Sequence, residues 1–341
     1  TERAAMKKLR VGPKIAISSL VGLICLWLAA RSVSWREVGA ALERFDFAWL
    51  IVAVAISLAI QLLRALRWKV ELSPLARLPY AMVWQVIAVA YMMINVLPFR
   101  MGEPVRPLLM SWRSRLPVSA IVGNWVFEKM MDTAAIVVFV HLALLTADLP
   151  DWAAHASQAS LTAFAVMLSV VVVFWLRGER FFDATIGRWL SDHAREKALG
   201  ILRSARTGLD ILPDRRLVAW VFVLTLLLWG LPVLSSYVLI RGFGFGLPFS
   251  AALVVFVAIS IGTALPPPPG MFGIMQIASV VALGLFDVPQ AEALAYGILL
   301  NALQFVTLVV QGLVALPFVG KTIGQMTREA VASEEVDAPP C

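Results

Sequence analysis

The sequence predicts an all-α integral membrane protein of about six full transmembrane helices plus two re-entrant helical hairpins, arranged as an inverted repeat. Three observations predict it. Of 341 residues, 60% are hydrophobic and only 15% charged, more apolar surface than the core of a soluble domain this long can bury. Two apolar stretches are interrupted by proline and glycine in ways one continuous helix cannot accommodate. Each interrupted stretch is followed by a long apolar helix, so the chain reads as one pattern written twice.

A helix needs about 20 residues to cross a hydrocarbon core of roughly 30 Å. Six runs meet that length, near 13–30, 47–66, 117–147, 158–176, 217–240 and 290–318. The first follows Lys7, Lys8 and Arg10 like a signal peptide, but Ala29-Ala30-Arg31 is a poor cleavage site, so it is read as a retained helix. The interrupted stretches are 81–112, broken at LPFRMGEP (97–104), and 249–286, broken at LPPPPG (265–270). Their arms are short, and Pro98, Gly102, Pro266 and Gly270 mark the breaks.

Charge chooses between hairpins and extra spans. With hairpins, 24 of the Lys and Arg residues fall on one side and 4 on the other, with Lys129 left inside a span. That bias places both termini in the cytoplasm of a bacterial inner membrane. The first count includes Arg64 and Arg67, assigned to a loop at 64–80. The net charge of +7 therefore reads as orientation and headgroup contact, and no nucleic-acid partner is expected.

The repeat is explicit in two blocks. NVLPFRMG (95–102) aligns with TALPPPPG (263–270), 168 residues on, and LPVSAIVGNWVFEKMMDTAAIVV (116–138) with VPQAEALAYGILLNALQFVTLVV (288–310), 172 residues on. The halves are 1–147 and 156–320; an odd number of crossings in each inverts the second. Between them, 177–216 carries apolar residues at helical spacing among many charges and reads as an amphipathic surface segment. The tail 321–341 is polar and reads as disordered.

The polar residues at membrane depth are the candidate site. Asn124, Glu128 and Asp132 fall at i, i+4 and i+8 on one helix face, beside Lys129. Glu128 lies roughly 16 Å in from the helix start, near the midplane. A carboxylate there costs about 2.5–3.5 kcal/mol facing lipid, so the stripe faces partners or water. Sequence proximity offers Arg100, Glu103 and Arg106 in the adjoining hairpin, with Arg100 set against Glu128 and Arg106 against Asp132. Two readings stay open: the pairs brace the hairpin, or the arginines hold a lipid phosphate through their planar donor fork. The second half offers the milder Gln276, Asn301 and Gln304, the last two aligned with Lys129 and Asp132.

His141, His155 and His193 lack ligand spacing, Cys25 and Cys341 form no metal motif, and no phosphate-binding glycine loop occurs, so no cofactor and no enzymatic role are expected. Trp35, Trp49, Trp112, Trp152 and Trp220 read as an interfacial belt.

NVLPFRMGEPVRPLL followed by RLPVSAIVGNWVFEKMMD resembles the flippase-like family that includes the transmembrane region of bacterial lysylphosphatidylglycerol synthases. The matching positions are Leu97, Pro98, Arg100, Gly102, Glu103, Arg106, Glu128, Lys129 and Asp132. Residues 263–301 resemble the family's second block but run four prolines and lack its charged residue after the glycines. The resemblance implies a membrane domain that passes amphiphilic lipids between leaflets. Its partners would be anionic phospholipid, aminoacyl-lipid or polyprenyl lipid. The alternative is a non-catalytic subunit that presents lipid to a separate envelope-lipid enzyme. The longest loop, about 40 residues, has no room for a soluble aminoacyl-transfer domain. A homo-oligomer is compatible with either reading.

Overall fold

The computed structural model describes residues 20, 22–31, 33–97, 102–147, 151–185, 192–263 and 268–320. Among these there is no strand. A helix over 22–30 (α1) leads into a short amphipathic helix, α2 (Trp35–Glu43), and then α3 (Ala48–Glu71). The first broken stretch gives α4 (Tyr80–Val96) and α5 (Val105–Ser114), and α6 (Val118–Thr146) is the first long helix. After it come α7 (Asp151–Thr185), α8 (Asp192–Thr207) and α9 (Arg215–Gly242). The second broken stretch gives α10 (Phe249–Gly262) and α11 (Ile274–Gly284), and α12 (Gln290–Ala315) is the second long helix.

Among the described residues, five helices are long and apolar enough to cross a bilayer: α3, α6, α9, most of α7, and α12 with the turn beyond it. Their outward faces carry exposed Ile51, Leu145, Val170, Leu227 and Val306, an apolar coat that only lipid would solvate favourably. The protein is therefore a multi-pass, all-helical membrane protein. Residues 13–19 and 21 of the expected first span, 13–30, lie outside the described residues, as do Pro98, Arg100, Pro266 and the tail 321–341.

Proline sets the helix starts. Pro79, Pro117, Pro248 and Pro289 each stand at the cap position, where the missing N–H loses nothing. They mark the same places in the two halves: Leu78-Pro79-Tyr80 and Leu247-Pro248-Phe249 open the broken stretches, and Pro117 and Pro289 open the long helices. The packing is reciprocal as well. α4 lies against α12, α10 lies against α6, and α3 pairs with α9. None of α4, α5, α10 and α11 exceeds 17 residues, so at about 1.5 Å per residue none alone spans the hydrocarbon core.

Two boundaries differ from expectation. The helix expected at 47–66 continues to Glu71, because nothing between Ala48 and Leu72 breaks it and Pro74 follows. Arg64 and Arg67 thus belong to a membrane helix, not to a loop, and leave the charge count; the excess on that side remains several-fold. The surface segment expected at 177–216 is also shorter. Its first residues finish α7, and Leu209 and Ile211 are buried among Phe127, Met130 and Val221.

α8 docks closely on α6. A Cβ on Gly123 would sit 1.9 Å from the Ala205 carbonyl oxygen, and one on Gly208 would sit 2.2 Å from that of Ala120. The Ser119 and Ser204 hydroxyls hydrogen-bond at 2.7 Å across the same contact.

Candidate functional site

The charged stripe is completed by a helix that sequence proximity did not suggest. Arg67, on α3, is 1% exposed and lies among three carboxylates: Asp132 at 2.5 Å, Glu128 at 2.7 Å and Glu71 at 3.3 Å. It also donates to the Thr225 hydroxyl of α9 at 3.3 Å. Arg106, at the start of α5, reaches Glu128 at 2.6 Å while its guanidinium stacks 3.9 Å over the Trp68 ring. Trp229 of α9 donates to Asp132 at 2.9 Å. Asn124 accepts from the Trp68 indole at 3.2 Å and donates to the Glu71 carbonyl at 3.1 Å. These contacts draw α3, α5, α6 and α9 onto one buried network.

The expected pairings change accordingly. Arg106 takes Glu128 rather than Asp132, Asp132 goes to Arg67, and Arg100 lies outside the described residues. Burial makes such a network strong only as a set, since removing one member leaves an uncompensated charge in low dielectric. Asn124, Glu128 and most of Arg106 are therefore engaged in bracing.

Beside the network lies a cavity of about 490 Å³. Its walls come from both halves: Gln61 and Arg64 of α3, Tyr91 and Asn95 of α4, Lys129 of α6, Pro232 of α9, and Ser260, Gly270 and Gln304 around the second break. Pro232 lacks the N–H that the Leu228 carbonyl would otherwise receive, and both residues line the cavity. Glu103, Arg106 and Asp132 reach the cavity too. Its first-half walls carry charge, whereas among the described residues its second-half walls offer neutral groups.

Gln276 and Asn301 do not line it. Asn301 donates to the Gly270 carbonyl at 2.7 Å, and Gln276 accepts from the Gly273 N–H at 2.7 Å. Both hold the backbone of the second break, where Gly270 adopts φ +62°. Asn301→Leu should leave that carbonyl buried without its donor, costing about 1–3 kcal/mol; thermal unfolding in detergent reads this directly, and an unchanged midpoint would show that the bond carries no weight.

Sequence reasoning missed Arg64, Arg67, Glu71, Trp68 and Trp229. The signal was present in part. Ser57, Gln61, Arg64, Trp68 and Glu71 recur every three or four residues, a polar face on an otherwise apolar helix. The exposed Trp35, Trp112 and Trp220 fit the expected belt, whereas Trp68 and Trp229 serve the network.

A multi-pass helical membrane protein with a buried ionic network beside an internal cavity is the class that fold and site define. The chain belongs to the family described as the lysylphosphatidylglycerol synthase TM region, which its residues 15–312 match. A UPF0104 membrane protein of Methanothermobacter thermautotrophicus is 20% identical to it over 334 residues, covering 92% of this chain and 97% of the relative. No solved structure matches the chain.

Proposed function

We propose that this protein receives an amphiphilic lipid by its headgroup in the central cavity and moves it between leaflets. It would work in a bacterial inner membrane with both termini cytoplasmic and carry out no bond chemistry of its own. The observation that carries the reading is the cavity's position, walled by both broken stretches and both long helices. Irregular backbone at membrane depth survives only where it is buried in protein or lines a wet space. The reciprocal packing of α4 on α12 and α10 on α6 supports an inverted repeat with two re-entrant hairpins, the architecture in which alternating access is achieved by rocking one repeat against the other. The name of the matched family, a lipid synthase's membrane region, agrees with a lipid cargo.

The test is lipid scrambling by the purified protein in liposomes, with fluorescent phospholipids quenched from outside. Protein-dependent loss of the protected inner-leaflet signal is the expected result. Lipid that co-purifies and binds without scrambling would remove transport and favour a subunit presenting lipid to a separate envelope enzyme. Orientation is tested by cysteines at Asp148 and Asp151, expected to be labelled from outside, against Ile201, expected to be labelled only after permeabilisation. The reverse pattern would invert the assignment.

A further inference from the structure

Two cations that line the cavity have no carboxylate partner among the described residues. Arg64 lies 3.9 Å over the Tyr91 ring and donates to the Gln61 amide, and Asp132 and Glu128 act on it only beyond ion-pair distance. Lys129 faces the Trp125 ring at 5.7 Å and, among the described residues, feels Glu128 only beyond ion-pair distance. The carboxylates that reach the cavity are already engaged: Asp132 with Arg67, and Glu103 with a partner of its own. The bracing network consumes Arg67 and Arg106. What remains facing the space is therefore two positive charges, with Asn95, Ser260, Thr263 and Gln304 as neutral hydrogen-bonding groups around it.

We propose that Arg64 and Lys129 receive a dianionic phosphate, the headgroup of a phosphomonoester or diphosphate lipid, and that the cavity disfavours aminoacylated, cationic headgroups. The proposal rests on the lipid-handling reading above and gives it a substrate class. Guanidinium offers the phosphate a planar fork of donors, and the lysine adds a mobile point charge. A phosphodiester, with one charge, satisfies only one of the two. A cationic headgroup meets like charge with no available carboxylate to answer it. Phosphomonoesters gain their second charge near pH 6, so binding should strengthen as pH rises through about 6 to 7.

The experiment uses the full chain in neutral detergent and measures lipid affinity by thermal shift and native mass spectrometry. The probes are phosphatidic acid, phosphatidylglycerol, phosphatidylcholine, lysylphosphatidylglycerol and inorganic phosphate. Phosphatidic acid should bind about tenfold tighter than phosphatidylcholine or lysylphosphatidylglycerol, the scale of one or two charge-assisted hydrogen bonds. Arg64→Gln and Lys129→Gln should each erase most of that preference, by weakening phosphatidic acid binding more than phosphatidylcholine binding. Arg64→Lys should retain part of it. If Arg64→Gln fails to fold, Lys129→Gln carries the test, because its side chain is half-buried and outside the bracing network. Equal binding of phosphatidic acid and phosphatidylcholine, or tightest binding of lysylphosphatidylglycerol, overturns the assignment. Stabilisation by inorganic phosphate and not by phosphatidic acid overturns its lipid part. Selective binding with no scrambling leaves the assignment standing and removes transport; scrambling with no headgroup preference in binding does the reverse.

Discussion

Replacing Arg67 with methionine should cost about 3–5 kcal/mol of stability, the largest loss expected from any single side chain in this protein. The substitution keeps the packing volume but removes the guanidinium that Asp132, Glu128 and Glu71 share. Arg106 still faces Glu128, so the damage falls on the other two carboxylates. Arg67→Met combined with Glu71→Gln and Asp132→Asn should therefore recover most of the loss, because no buried charge is then left without its counterpart. Reversible unfolding in mixed detergent measures the parent, the single variant and the triple variant. A single variant within about 1 kcal/mol of the parent would show that water reaches the network, and the bracing role would fall. Scrambling in the rescued triple variant separates bracing from lipid handling: the cavity keeps Arg64 and Lys129, so transport should return with stability.

The second large effect is steric. Gly123→Val should undock α8, because a side chain there meets the Ala205 carbonyl at less than contact distance and that oxygen belongs to backbone, which cannot swing aside. Overpacking of this kind costs about 3 kcal/mol. Cysteines at Ser119 and Ser204 report the docking, since the native hydroxyls are within hydrogen-bond reach. Their disulfide should form readily in the parent background and poorly with Gly123→Val. Equal cross-linking in both would mean that α8 docks through other contacts. Undocking would also uncover Leu209 and Ile211, which wedge beside Phe127 one turn from the charged stripe.

Much of the architecture was legible because proline chemistry and hydropathy are local signals. The expected break at 97–104 falls between the end of α4 at Val96 and the start of α5 at Val105, and that at 265–270 falls between α10 and α11. The long helices begin within a residue of where an apolar-Pro pair placed them. The stripe of Asn124, Glu128 and Asp132 was visible for the same reason, being written in one stretch of chain.

The partners of that stripe were not visible. Arg67 and Glu128 are 61 residues apart, and no periodicity within either helix says that α3 will send an arginine to α6 beside the one from the adjoining broken stretch. Charge was also ambiguous. An arginine near the end of an apolar run signals departure from the bilayer by the usual statistics, yet both stay within α3, Arg67 against carboxylates and Arg64 against the Tyr91 ring. Gln276 and Asn301 illustrate the converse. Their polarity at membrane depth suggested ligand contact, but the nearest unmet demand was the backbone of the second break.

The packing of α4 against α12 has a consequence for how the protein is made. α4 ends at Val96 and its partner begins at Gln290, so the first broken stretch emerges from the ribosome long before the surface that covers it exists. At about 5–20 residues per second the interval is on the order of 10–40 s. Throughout it, a helix too short to span the bilayer must be held at the translocation machinery or at the membrane interface. Biogenesis of this chain is therefore completed from its C-terminal end, and shortening the chain within α12 would strand the first half as much as the second.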